Sequence, residues 1–176
     1  MKHSAAPWGL FVKVISALIT VLICTVFWLA APISSDNESV AFRMFLILLP
    51  VLLLGSSALF IILRYEISSE NIEVVRVVGR TKYRLDNIKS VEFEPTSTDL
   101  SIRTFGNGGL YSISGFFRNT QLGAYRAYVT NAANCVVIRR KQGSPIVLSP
   151  HDPIRFVEQV TLSIEIINPM VEKNSS

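Results

Sequence analysis

Two apolar runs, Val14 to Ile33 and Met44 to Leu63, stand close together near the N-terminus, and no other feature limits the possible folds so strongly. A bilayer's hydrocarbon core is roughly 30 Å thick and takes about 20 apolar residues in a helix. Each run meets that length, so the sequence predicts a two-helix transmembrane hairpin over residues 1–64. After Arg64 the pattern changes to short β-type runs separated by turns, followed by one amphipathic segment. Residues 65–176 are therefore expected to form a compact module carried by the hairpin.

The first run also has features of a secretory signal, with Lys2 ahead of it and Ala30-Ala31 imitating a cleavage site. A signal core is only about 7–15 residues long and is not followed by a second span, so a retained anchor is expected. Lys2 and Lys13 precede the first run, Arg64, Arg76, Arg80, Lys82 and Arg84 follow the second, and Asp36 and Glu38 lie in the Pro32 to Ser39 connection. The positive-inside bias then predicts that both termini face the cytoplasm. Pro50 and Gly55-Ser56-Ser57 supply a kink and a small face for helix packing. Neither run contains an acidic residue or a histidine, which argues against a transport pathway.

Charge narrows the classes further. Residues 1–64 hold 4 Lys+Arg and 2 acids, and residues 65–176 hold 13 and 11, so the module is only mildly basic and nucleic acid is not expected as a partner. Cys24 and Cys135 fall in different segments, so neither a disulfide nor a metal site is anticipated.

Within the module, Ile72 to Val78, Thr81 to Leu85, Ile88 to Phe93, Leu100 to Phe105 and Tyr125 to Thr130 read as strands. Cys135 to Arg139 and Pro145 to Leu148 read as a hairpin turning at Lys141 to Ser144. Ile154, Val157, Val160, Ile164 and Ile167 then recur at helical spacing behind Asp152, a good N-cap, and Pro153, suited to the first helical position. The pattern predicts a curved antiparallel sheet of about seven strands closed by a C-terminal helix.

The order Tyr65-Glu66-Ile67, Ile72 to Arg76, Thr81 to Ile88, Ile102 to Leu110, Tyr125 to Thr130 and Val147 to Pro150 resembles bacterial pleckstrin-homology-like (PH-like) domains over almost all of 65–176. The resemblance implies a mainly-β PH-like barrel capped by an α-helix, anchored by a transmembrane hairpin in the bacterial cytoplasmic (inner) membrane as a multi-pass protein. It supplies no catalytic residue and no cofactor. PH folds bind lipids, peptides or proteins through different surfaces, so the fold alone does not choose among them.

Three constellations are candidates for function. Arg76, Arg80, Lys82 and Arg84 surround the first hairpin, where they could contact phosphate or anionic lipid headgroups at about 1 kcal/mol per charge. They could equally be a solvated strand face paired with Glu70, Glu73, Glu92 and Glu94. Phe105, Gly106, Gly108, Gly109, Leu110, Tyr111, Gly115, Phe116 and Phe117 form a stretch richer in glycine and aromatics than a turn requires. Its aromatics could pack on the barrel, line a groove for a partner, or dip into an interface. Arg139-Arg140-Lys141 is a charged hairpin tip of the kind that is ordinarily solvated. His151 and Asp152 are neighbours, but no Ser or Cys shows a nucleophile's context. The expected function is thus non-enzymatic: partner binding or scaffolding at a membrane surface. An accessory subunit of a larger membrane complex, recognised through its spans, and an anionic-lipid sensor are the alternatives.

Overall fold

A computed structural model describes residues 2–30, 40–108 and 111–173. The chain opens with strand β1 (Lys2–Ala5), then helices α1 (Leu10–Ala30) and α2 (Val40–Leu59). Strands β2 (Ile62–Ile67), β3 (Asn71–Arg76) and β4 (Arg80–Arg84) follow, and with β1 they make a four-stranded antiparallel sheet in the order β1-β2-β3-β4. The second sheet has six strands: β5 (Ile88–Phe93), β6 (Ile102–Gly108), β7 (Ile113–Asn119), β8 (Gly123–Val129), β9 (Val136–Arg140) and β10 (Ile146–Leu148), in the order β5-β9-β10-β8-β7-β6. Only β10 and β8 run parallel within it. Helix α3 (Pro153–Lys173) closes the chain against β5 and the 3₁₀ turn Leu85–Asn87.

The main core lies between the sheets and α3. Ile72, Val74, Leu85, Ile138, Ile146 and Leu148 are fully covered there, as the β-branched runs of β3, β9 and β10 lead one to expect. Tyr65 fastens the two sheets. Its hydroxyl donates to the Tyr128 carbonyl (2.7 Å) and accepts from the Ser149 N–H (3.3 Å), and burial pushes its pKa up to about 12. A second cluster, Phe117, Tyr125, Ala127, Val137 and Val147, occupies the other face of the six-stranded sheet. Residues 94–101 are tied to that cluster through the Tyr125 hydroxyl donating to Ser101 Oγ (2.7 Å) and Asn119 Nδ2 donating to the Ser97 carbonyl (2.8 Å).

Helix α3 starts where Asp152 and Pro153 predict, with Asp152 Oδ1 accepting from the Arg155 N–H (3.0 Å). Its buried stripe keeps four of the five expected residues and takes Phe156 in place of Ile154. Phe156 and Val160 are covered and Val157, Ile164 and Ile167 pack beside them, whereas Ile154 is 62% exposed.

The predicted architecture needs correction. Among the described residues no helix is long and apolar enough to cross a membrane. The transmembrane hairpin, the multi-pass inner-membrane location and the cytoplasmic placement of both termini are overturned with it. The start of α1 is engaged by protein: Gly9 N–H donates to the Thr130 carbonyl (2.8 Å), and Val12 and Ser16 are buried. Beyond Ser16 about 14 helical residues remain, roughly 21 Å at 1.5 Å each, short of a hydrocarbon core of about 30 Å. In α2, Arg43 stands in the first turn, Pro50 interrupts the middle and Ser56 and Ser57 occupy the last turn. The single barrel of about seven strands is likewise replaced by two sheets and a C-terminal helix. The expected outer connection, Pro32 to Ser39, lies outside the described residues.

Candidate functional site

The basic residues of the first hairpin divide between two surroundings. On the outer face of the four-stranded sheet, register sets His3, Glu66, Glu73 and Lys82 in one cross-strand row. Two carboxylates directly opposite each other repel, and cations surround them. Arg64 Nε donates to Glu66 (2.6 Å), Arg80 Nη1 bridges Glu66 (3.3 Å) and Glu73 (3.5 Å), and Lys82 Nζ meets Glu73 (3.0 Å). The hydrogen bond from Arg64 holds the Glu66 carboxyl below the usual carboxylate range, with Arg64, Arg80 and His3 adding attraction. Arg84 pairs with Asp86 (2.6 Å). Arg80, Lys82 and Arg84 therefore each have a carboxylate within this chain. Arg76, at the end of β3, instead directs its Nη2 to Thr81 Oγ1 (2.7 Å) and lies 5.9 Å from the ring centroid of Tyr128.

The glycine-aromatic stretch forms the β6–β7 hairpin, with β6 at the free edge of the six-stranded sheet. Gly106 and Gly115 are partners across it, at φ +117° and +144°. A Cβ on Gly106 would come within 2.7 Å of the Gly115 Cα, and one on Gly115 within 2.8 Å of the Gly106 Cα, besides striking the facing carbonyls of Ser114 and Phe105. Only glycine fits this pair, so two of the glycines serve strand approach. Side chains of neighbouring strand residues point to opposite faces, and Phe116 and Phe117 accordingly part company. Phe117 is 6% exposed and stacks on Tyr125 at 5.9 Å, while Phe116 is 47% exposed and lies under the Arg126 guanidinium at 5.1 Å. Phe105 is 76% exposed. Tyr111, at φ +64°, donates its N–H to Ser16 Oγ (2.8 Å) and sets its ring 5.8 Å from Trp8, so this part of the loop docks on the start of α1. Gly108 ends β6, whereas Gly109 and Leu110 lie outside the described residues.

The remaining candidates are held by structural bonds. Arg139 meets Glu92 (2.9 Å) and Glu94 (2.7 Å), and Arg140 Nε donates to the Ser144 carbonyl (2.7 Å). Asp152 caps α3, and the His151 N–H donates to the Ala5 carbonyl (3.0 Å) at the end of β1. Burial pushes the Cys135 thiol up to about 11, away from the thiolate a nucleophile needs.

A cavity of about 520 Å³ opens between the last turn of α2 and the face of β6, β7 and β8. Phe60, Phe105 and Phe116 give it apolar walls, and Arg76, Arg103 and Arg126 bring three cations to it. Arg103 and Arg126 were not among the residues singled out from sequence. Arg126 nevertheless carries a readable signal, because it alternates with Tyr128 on one face of a strand and sets a charge where an apolar residue would ordinarily stand.

Two packed sheets with a C-terminal helix against them form a scaffold with an open strand edge, and such scaffolds present binding surfaces on their edges and loops. A family model described as Bacterial PH domain matches residues 63–163, more than half of the chain, and the protein belongs to that family. No curated protein and no solved structure matches it.

Proposed function

We propose that this chain is a non-catalytic binding or scaffolding module whose β6–β7 edge recruits or steadies a protein partner. The observation that carries this reading is the edge itself: Ile102 (72%), Phe105 (76%) and Phe116 (47%) leave large apolar side chains exposed along the edge strand and its neighbour. Such an edge offers backbone hydrogen bonds for an added strand and apolar anchors beside them. The PH fold of residues 63–163 favours a binding role, and the buried, protonated Cys135 and the structural duties of His151 and Asp152 favour a non-catalytic one. The lipid-sensing alternative built on the first hairpin is weakened by the carboxylates already paired with Arg80, Lys82 and Arg84.

The test is site-specific photo-crosslinking of the full chain in its native cells. A photoreactive residue at Ile102 or Phe105 should yield a discrete adduct with one protein. The same residue at exposed Lys89, on β5 at the opposite edge of the sheet, should not. Equal labelling at all three positions, or none at Ile102 and Phe105, would remove the edge as the contact surface.

A further inference from the structure

We propose that the cavity between α2 and the β6–β7–β8 face binds a phosphate-headed ligand bearing a short apolar tail, with Arg76, Arg103 and Arg126 as its anion grip. This site is separate from the row formed by Arg80, Lys82 and Arg84, and the inference does not rest on a protein partner at the β6 edge.

The cations are placed as a fold seldom places them without an anion. Arg76 and Arg126 approach the same ring, that of Tyr128, with guanidinium carbons 5.9 and 5.3 Å from its centroid. The Nε atoms of both are buried and have no hydrogen-bond partner among the described residues. A buried donor left unpaired is costly, and native structures rarely leave one without a reason. Among the described residues no carboxylate pairs with Arg76, Arg103 or Arg126, although Arg64, Arg80, Lys82, Arg84 and Arg139 each have one. Lys89, Arg118 and Arg140 also lack a carboxylate among the described residues, but they stand apart on β5, β7 and β9, whereas Arg76, Arg103 and Arg126 meet at one cavity.

The walls define the rest of the ligand. Phe60, Phe105 and Phe116 are apolar, and the Ser56 and Ser57 hydroxyls already donate to the Leu53 carbonyl, so the charged donors at the site are the arginines, beside the Ser114 and Tyr128 hydroxyls. A volume of about 520 Å³ suits a small molecule rather than a bare ion. Guanidinium forks match phosphate oxygens in pairs, and a phosphate monoester offers three oxygens and nearly two charges to be shared among three forks. A lipid headgroup and a soluble alkyl phosphate present the same chemistry to these residues.

Titration calorimetry on the full chain, held in a neutral detergent because α1 and α2 expose residues such as Leu18, Leu22 and Leu52, tests the site. Hexyl phosphate should bind saturably with one site per chain, inorganic phosphate at least about tenfold more weakly, and hexyl glucoside not at all. Arg103→Met and Arg126→Met should each weaken hexyl phosphate roughly ten- to a hundredfold, the range for a charged hydrogen bond. Arg80→Met should leave binding unchanged. Without ligand, Arg126→Met should melt close to the parent, because the cation–π contacts it loses with Phe116 and Tyr128 are offset by removal of an unpaired buried Nε. Arg103 is exposed, so its variant remains informative if Arg126→Met fails to fold. Dioctanoyl phosphatidate binding at least as tightly as hexyl phosphate would assign the headgroup source, and its failure to bind would assign the soluble one. The proposal is overturned if hexyl phosphate does not saturate, if its binding survives both arginine variants, if Arg80→Met abolishes it, or if inorganic phosphate binds equally well.

Discussion

Phe116 and Phe117 are adjacent and chemically identical, so their separate replacement measures the two faces of β7 directly. Phe117 is 6% exposed, belongs to the cluster behind the six-stranded sheet and stacks on Tyr125 with rings 27° apart. Phe117→Ala removes a nearly complete ring from a packed site, at a cost of about 3–5 kcal/mol. For a chain of this length each kcal/mol lowers the melting temperature by about 2–4 °C, so a fall of roughly 10–15 °C is expected. Phe116 is 47% exposed and rests mainly under Arg126. Phe116→Ala forfeits about half of a Phe side chain's burial, near 1 kcal/mol. It also loses a partly exposed cation–π contact of about 0.5–1 kcal/mol. A fall of roughly 3–6 °C follows. Circular dichroism melts of the full chain and its two variants supply the comparison. Equal losses would mean that β7 does not separate a packed face from a presented one, and the reasoning from strand alternation would fail.

Two further outcomes follow from local geometry. Gly115→Ala forces a Cβ against the Phe105 carbonyl at φ +144°, and urea unfolding should show a loss of about 2 kcal/mol or more, because the β6–β7 pair must splay; a loss below about 0.5 kcal/mol would show that the close approach is not needed. The folded-state pKa of Glu66 is depressed, chiefly by the Arg64 hydrogen bond, so its contribution is fully present above the ordinary carboxylate pKa of about 4.3 and is lost as pH falls below that and through the lower folded value. Glu66→Gln should therefore lower the melting temperature at pH 7 and converge with the parent in acid, and a gap that persists at low pH would assign the effect to packing.

The strands that were legible are those in which local chemistry and tertiary burial agree. Ile72 to Arg76 is rich in β-branched residues and is covered on both faces, and Asp152-Pro153 marks the start of α3 by capping chemistry that needs no knowledge of the rest of the chain. β1 was not legible. Lys2-His3-Ser4-Ala5 has no β-branched residue and no alternation, and it becomes a strand only because β2 offers an open edge, with Ala5 also accepting from His151. The parallel pairing of β10 with β8 was hidden for the same reason, since it joins segments that no turn connects. The two apolar runs misled in the opposite sense. Their length and composition fit a bilayer, but composition does not reveal that Val12 and Ser16 are covered and that Ser16 holds the Tyr111 loop.

The charge pattern carries the same lesson into the candidate site. Arg76, Arg80, Lys82 and Arg84 look alike in sequence, and strand register separates them. Thr81, one of the two residues that β4 aligns opposite Val74 and Val75, accepts from the Arg76 guanidinium, whereas Glu73 on the outer face takes Lys82 and shares Arg80 with Glu66. A cation already bridging two carboxylates must lose those contacts before it can serve a ligand, while one with an unpaired buried Nε gains contacts by binding. Counting basic residues near a hairpin therefore points to the less available group. Arg126 contributes nothing to that count, because it comes from β8, about 40 residues beyond the first hairpin in sequence, yet cross-strand pairing with Phe116 brings it to the cavity that Arg76 reaches from β3. The grip is assembled from three strands, β3, β6 and β8, and exists only once the two sheets have packed.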